Sequence, residues 1–331
     1  MLYSSMKPIA VTLGDPAGIG PEIVARALGA LAPHTPFLLV GDWRMAIEGP
    51  GSETYRTLPR LRSAASVATL PAFLDVGRDA AIPLRHGVVD AAYGTVALDS
   101  IHAALATIDA GICSALVTAP IHKQSIAAAG SPFPGHTELL AAHSGLREYG
   151  RDYAMYFDSP SLRVALLSVH LPLRAAIDKI QADAIAAMAR LIDREYRKME
   201  GVAPRIGVAG LNPHAGEGGM FGDEEERIRE GVALAAAEGL TIAGPASADT
   251  IFRSARIGKY DVVIAMYHDQ GLIPVKTMHF DESVNVTLGL PYLRCSVDHG
   301  TAFDIAGRGV ADGGPMTWAL RYALERAGRV A

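Results

Sequence analysis

Cysteine is nearly absent, with two residues in 331, so no disulfide framework holds this chain together. Cys113 and Cys295 lie in apolar, strand-like stretches and read as thiols of a reducing compartment. No stretch approaches the roughly 18 uninterrupted apolar residues of a membrane span. Residues 1–8 (MLYSSMKP) show neither the charged start nor the apolar centre of a secretory leader, and residues 1–5 read as a loose tail. The expected location is the cytoplasm. Basic charge is also scarce: the formal net charge is −5 and no Lys/Arg stripe exists, which argues against nucleic acid or an anionic membrane as partner. Repeats, low-complexity tracts, a local HExxH metal pair and the GxGxxG dinucleotide fingerprint are missing too. What remains is an ordinary globular composition, 50% hydrophobic and 20% charged, in a chain long enough for a substantial core.

Strand-like and helix-like segments alternate almost throughout, which predicts an α/β architecture with a parallel sheet, as one large or two medium domains. Strands are expected at residues 9–13, 36–40, 115–118, 155–157, 162–169, 205–209 and 262–267, and helices at 21–31, 94–110, 181–199, 224–238 and 316–327. Residues 64–90 read as irregular. The Gly/Pro-rich stretch 130–135 is the best candidate for one domain crossing.

Three of the apolar runs deliver a histidine at or just past the carboxyl end: 162–169 into His170, 205–209 through Gly210-Leu211-Asn212-Pro213 to His214, and 262–267 into His268. Ligands gather outside the carboxyl ends of strands in open α/β sheets. One such histidine is most often a hydrogen-bonded structural residue. Three with the same placement, with polar or small followers after His214 (Ala215-Gly216-Glu217) and His268 (Asp269-Gln270), point to a metal site that keeps a position open for substrate.

Other segments admit two readings each. Residues 14–22 (GDPAGIGPE) follow a strand and open a helix; their glycines suit either an anion cradle or a tight turn packed on the sheet. Thr137 in Pro134-Gly135-His136-Thr137-Glu138 either caps a helix over 139–142 or joins His136 in holding a phosphate at that helix N-terminus. Lys276 and Arg294 lie downstream of the His268 strand, close to the predicted sheet edge, in surroundings too apolar for plain surface charges. The glycine-rich, polar stretch 297–309 after a strand suits a ligand-cradling loop.

These strings, together with 118–123 (TAPIHK), 212–216, 248–250, 266–271 and 285–290 (NVTLGL), run in the order found in the 4-hydroxythreonine-4-phosphate dehydrogenase family, which the chain resembles from residue 9 to 309. The resemblance implies two α/β/α domains like those of isocitrate and isopropylmalate dehydrogenases, residues 1–130 plus 300–331 as one and 131–299 as the other. It also implies a homodimer whose active site lies in the interdomain cleft at the subunit interface, with residues 131–299 carrying most ligands. It implies His170, His214 and His268 as ligands of a divalent metal (zinc, magnesium or cobalt). His136, Thr137, Lys276, Asn285 and Arg294 become contacts to a phosphorylated small-molecule substrate, and Lys276, Asp249 and Asp269 become candidates for acid–base work. Residues 298–309 resemble the loop with which isopropylmalate dehydrogenases bind NAD, so His299, Gly300, Thr301 and Asp304 are implied contacts to NAD or NADP.

The implied reaction is oxidation of the C3 hydroxyl of 4-phosphooxy-L-threonine, then decarboxylation to 3-amino-2-oxopropyl phosphate, in pyridoxal 5'-phosphate biosynthesis. Related branches of the family oxidise 4-phospho-threonate or 4-phospho-erythronate, and these are the alternative substrates. Another branch takes unphosphorylated aromatic cis-dihydrodiols but lacks the Gly-His-Thr-Glu string present here. A phosphate acetyltransferase-like enzyme shares the general fold and would need neither the histidines nor the 298–309 loop.

Overall fold

The computed structural model describes residues 6–78 and 82–330. The chain divides into two units, Met1–Leu140 with Pro291–Ala331, and Ala141–Leu290. The tail expected at residues 1–5 lies outside the described residues.

The first unit begins with β1 (Ile9–Thr12), α1 (Gly20–Gly29), β2 (Phe37–Gly41), α2 (Trp43–Ala46), α3 (Ser52–Arg56), β3 (Arg60–Leu61) and β4 (Ala72–Asp75). It continues through α4 (Ala91–Asp109), β5 (Ala115–Thr118), α5 (Lys123–Ala128) and α6 (His136–His143), inside which the unit boundary falls. Strands β1 and β2 are buried along their whole length, as parallel strands covered on both faces must be, and so they read as unbroken apolar runs. Residues 64–90 are not wholly irregular as expected: β4 pairs in parallel with β2 and β3. Only four residues long and preceded by Pro71, it is too short to show a period.

The second unit runs β6 (Ala154–Asp158), β7 (Arg163–Leu166), α7 (Leu173–Asp178), α8 (Ala182–Glu200), β8 (Ile206–Ala209), α9 (Glu224–Ala237), β9 (Ile242–Ala246), α10 (Ala248–Arg256), β10 (Val262–Ala265), α11 (His268–His279) and β11 (Val284–Leu288). Its strand order is β11-β6-β7-β10-β8-β9. The β11–β6 and β6–β7 pairs are antiparallel, while β7, β10, β8 and β9 are parallel. Helix α8 buries Ile185, Met188, Leu191, Ile192, Tyr196 and Met199, a 3–4 residue spacing that puts one apolar stripe on the sheet. The chain then returns to the first unit with β12 (Leu293–Ser296) and α12 (Gly314–Val330), completing the parallel order β3-β4-β2-β1-β5-β12.

The chain passes between the units at 140/141 and 290/291, where the expected crossings were 130/131 and 299/300. Pairing explains the shift at the second crossing: Leu293–Ser296 align with Ala115–Thr118 of β5, which draws them into the first unit. Two local expectations also change. Helix α6 starts at His136, so Thr137 lies within its first turn rather than capping a helix at 139. Lys276 stands in the last turn of α11, not on a sheet edge, because the strand ends at Ala265 and the chain turns helical at His268.

Candidate functional site

In the second unit the three histidines leave the carboxyl ends of β7, β10 and β8, which lie side by side in that order. The rings of His170 and His268 come together with centroids 5.6 Å apart, a spacing that suits two ligands of one ion. The Nδ1–H of His268 donates to Asp269 Oδ1 at 2.7 Å, which leaves Nε2 as the lone-pair nitrogen. His214 is 67% exposed, with Nδ1 3.9 Å from Glu217 Oε1. Among the described residues no three His, Cys, Asp or Glu side chains are grouped closely enough to hold a metal ion. His170 and His268 thus come together as a pair, and His214 is not drawn in beside them.

His214 sits in an unusual turn. Residues His214, Ala215, Gly216, Glu217 and Gly218 all have positive φ, from 46° to 80°, so the chain makes a short left-handed spiral. Each of the three non-glycine residues costs about 1–2 kcal/mol in that conformation. Buried Glu225 opposes this cost: its carboxylate accepts from Leu211 N (3.0 Å), Asn212 N (2.7 Å) and Asn212 Nδ2 (2.9 Å). Hydrogen bonds to a charged acceptor contribute about 1.5–3 kcal/mol each, enough to hold the turn.

Side chains also tie the three strand ends to one another. Ser168 Oγ donates to Met266 O at 3.0 Å, Met266 N donates to Gln270 Oε1 at 2.7 Å, and Gln270 Nε2 donates to Gly210 O at 2.8 Å. Helix α11 lies hard against β7, since a Cβ on Gly271 would come within 2.5 Å of Leu166 Cδ2 and 2.9 Å of Val164 Cγ1. Ser168 and Glu225 went unnoticed in the sequence, and the bonds made by Gln270 were not foreseen. Gln270, two residues after His268, was the one with a visible signal, a polar residue beside a ligand candidate.

Lys276 Nζ lies 5.9 Å from the Phe280 ring centroid, and Asp269 is 72% exposed. Asp249 is exposed in the first turn of α10, where a carboxylate also complements the helix dipole. Asn285 is buried in β11 and its Oδ1 has no hydrogen-bond partner among the described residues.

The first unit assembles a different chemistry. Arg294 in β12 is 2% exposed and its Nη2 donates to Thr118 Oγ1 at 2.7 Å. Burial pushes the guanidinium down to about 10, with Glu138 pulling the other way. His136 is held well below the ordinary imidazole value, first by burial and then by repulsion from Arg294. Its Nε2 is shut from solvent and has no hydrogen-bond partner among the described residues. Thr137, 8% exposed, follows directly. A neutral ring, a hydroxyl and a buried cation so arranged suit an anion.

The 298–309 loop is held by the segment after β1. Ile19 N donates to Thr301 O at 3.0 Å, and a Cβ on Gly18 would meet Thr301 Cβ at 2.9 Å. Thr301 is consequently buried, whereas Asp304 is exposed and His299 Nδ1 lies 3.0 Å from Gly300 O. Phe303 stacks on His122 with centroids 4.4 Å apart. At Gly14 (φ 72°) a Cβ would fall 2.1 Å from Pro120 O, so the glycines of 14–22 serve close packing. Asp15 is wholly buried beneath this segment and its carboxyl is raised, chiefly by burial. Burial also pushes the thiols of Cys113 and Cys295 up to about 11 and about 12, which leaves neither a thiolate nucleophile near neutrality.

The profile of the family described as pyridoxal phosphate biosynthetic protein PdxA matches residues 45–323. A 4-hydroxythreonine-4-phosphate dehydrogenase of Beijerinckia indica is 44% identical, covering 96% of this chain and 94% of its own. A D-threonate 4-phosphate dehydrogenase of Salmonella typhimurium is 39% identical, covering 97% and 99%. The crystal structure of a 4-hydroxythreonine-4-phosphate dehydrogenase from Klebsiella pneumoniae superposes with a TM-score of 0.84 at 39% identity, covering 97% of this chain and 99% of that one. The chain belongs to the PdxA family.

Proposed function

We propose that this chain is a dehydrogenase of phosphorylated hydroxy acids, with 4-phosphooxy-L-threonine as its substrate in pyridoxal 5'-phosphate biosynthesis. The observation that carries this reading is the buried Arg294 beside a neutral, covered His136, an anchor suited to a phosphate and of no evident use to an unphosphorylated diol. The family similarity supports the same reaction. The D-threonate 4-phosphate relative supports a second substrate with the same phosphate and a neighbouring hydroxyl.

His136, Thr137 and Arg294 bind the phosphate and so fix the reacting carbon; such positioning contributes several kcal/mol. His170 and His268, with His214 as third ligand, would hold zinc, magnesium or cobalt. Such a cation, when bound, lowers the pKa of a coordinated hydroxyl and stabilises negative charge on the neighbouring oxygen. Asp269 keeps His268 in the tautomer that presents Nε2. The free acceptor of Asn285 suits a hydroxyl or ammonium of the substrate. Lys276, Asp249 and Asp269 remain the candidates for taking the hydroxyl proton. Oxidation transfers hydride to NAD or NADP, for which the 298–309 loop is the proposed seat, and loss of carbon dioxide follows. No helix among the described residues is long and apolar enough to cross a membrane; a cytoplasmic homodimer is part of the proposal.

Purified protein is assayed for reduced nicotinamide absorbance with 4-phosphooxy-L-threonine, D-threonate 4-phosphate and D-erythronate 4-phosphate, with each of the three metals and either nucleotide. Turnover on the first, lost with unphosphorylated 4-hydroxythreonine, is the expected result. An inert panel, or equal rates with and without phosphate, overturns the reading.

A further inference from the structure

A second grouping of histidine, carboxylate and hydroxyl stands at the other end of the same strands, where β7 and β11 begin rather than where β7, β10 and β8 end. Ser161 lies in the turn between β6 and β7, which Ser159 closes: its N–H and its Oγ both donate to Leu162 O, at 3.1 and 2.6 Å. His279 is the last residue of α11, and the N–H of Glu282 donates back to its carbonyl at 3.3 Å. The two segments lie far apart in the chain and meet because β11 pairs with β6 from Val284–Asp158 onward. His279 Nε2 then lies 2.7 Å from Ser161 Oγ, and its Nδ1 lies 3.1 Å from Glu282 Oε2. An ionised carboxylate only accepts, so the neutral ring carries its hydrogen on Nδ1 and turns the Nε2 lone pair to the serine hydroxyl.

We infer that Ser161, His279 and Glu282 form a nucleophilic relay, a second active site that takes carboxylic esters of small acyl groups. A serine is activated by an imidazole within hydrogen-bond reach that is itself oriented by a third group, whatever their order in the chain. A mere tie between hairpin and helix end would need only the first of the two bonds, and the β11–β6 ladder already joins these segments. The imidazole is 15% exposed and Glu282 42%, so the ring is screened without being sealed. Phe280, directly after His279 and exposed, offers an apolar face to the acyl group. Ser283, buried directly after Glu282, has an Oγ with no hydrogen-bond partner among the described residues, a spare donor for the carbonyl oxygen as charge builds on it. In the reaction, Ser161 Oγ bonds the ester carbonyl carbon and passes its proton to His279 Nε2. The C–O bond to the alcohol breaks, and the alcohol leaves with that proton. Water then attacks the acyl carbon and gives a proton to the same nitrogen. The Ser161 oxygen leaves, takes that proton back, and the carboxylic acid is released. This activity and the dehydrogenase reading above do not depend on one another.

Full-length protein is treated with a fluorophosphonate, whose phosphorus takes the serine oxygen as fluoride leaves, and the modified peptide is identified by mass spectrometry. A single label at Ser161 is the expected result, absent from Ser161→Ala. His279→Gln slows labelling at least about 100-fold, the loss of a general base, and Glu282→Gln slows it less. Hydrolysis of 4-nitrophenyl acetate falls in the same order. Glu282 is the more exposed partner of the ring, so its variant serves if His279→Gln fails to fold. Ser161 left unlabelled in the wild type, a labelling rate unchanged in His279→Gln or Glu282→Gln, or ester hydrolysis unchanged in Ser161→Ala overturns the inference and leaves a structural tie.

Discussion

Arg294 is 2% exposed, whereas the side chain of His214 is 67% exposed. The first unit places the charge of its proposed phosphate anchor inside the protein: cation, neutral imidazole and hydroxyl are set by β12 and the start of α6. The second unit places its histidines beyond the strand ends, His268 as the first residue of α11 and His214 in the left-handed turn after β8, with side-chain hydrogen bonds from Ser168 and Gln270 tying the neighbouring backbone. Burial makes a pocket rigid and makes its charges strong, because a desolvated cation gains most from an anionic ligand. Exposed ligands on tied loops can instead accept an ion and still leave room for a substrate oxygen. The proposed grip and the proposed chemistry thus rest on different physical foundations in the two units.

The largest effect expected is at the exposed end. His214→Ala lowers turnover at least about a thousandfold, the several kcal/mol a Lewis-acid site supplies, while the thermal midpoint moves by about 2 °C or less, as for other surface changes. Steady-state assays beside a melting curve check both halves. Wild-type turnover would remove His214 from the metal site.

Next comes the buried end, with the opposite signature. Arg294→Met lowers kcat/KM for the phosphorylated substrate by about 10²–10³, from the 2–5 kcal/mol lost when a buried charge partner goes. The midpoint holds or rises, since an apolar side chain relieves the desolvation of a buried cation. The variant falls toward the residual rate that wild type shows on 4-hydroxythreonine without phosphate; an unchanged kcat/KM for the phosphorylated substrate breaks the anchor assignment.

The smallest effect is a pH dependence. His136 has a folded value well below its ordinary 6.5, so below 6.5 the unfolded chain binds a proton that the folded chain refuses. Stability contributed there is full above 6.5 and falls as pH drops toward the folded value. His136→Gln is expected to flatten that part of the curve, read as urea midpoints from about pH 5 to about pH 8. A wild-type slope in the variant would mean that the ring is not held neutral by its surroundings.

Much of the second unit was legible because its strands are bounded by chemistry. Residues 205–209 and 262–267 end in polar or glycine-rich strings, so the strand-end placement of His214 and His268 could be read directly. Thr137 and Lys276 were placed in the wrong local structure, because a helix N-terminus at His136 and a helix running through Pro274 contradict local propensity. Gln270, Ser168 and Glu225 were invisible as a group, since each acts on a backbone atom of another strand. No period or spacing encodes a bond from Gln270 Nε2 to the carbonyl of Gly210. Arg294 was marked only by its apolar neighbours, and its burial depends on which strand lies alongside.

Residue 271 offers β7 nothing but a hydrogen, and helix α11 settles onto Leu166 and Val164 by that margin. The gap between the His170 and His268 imidazoles is therefore partly the by-product of a missing methyl. One added carbon would act as a shim beneath the helix, lifting His268 away from His170 without touching either ring.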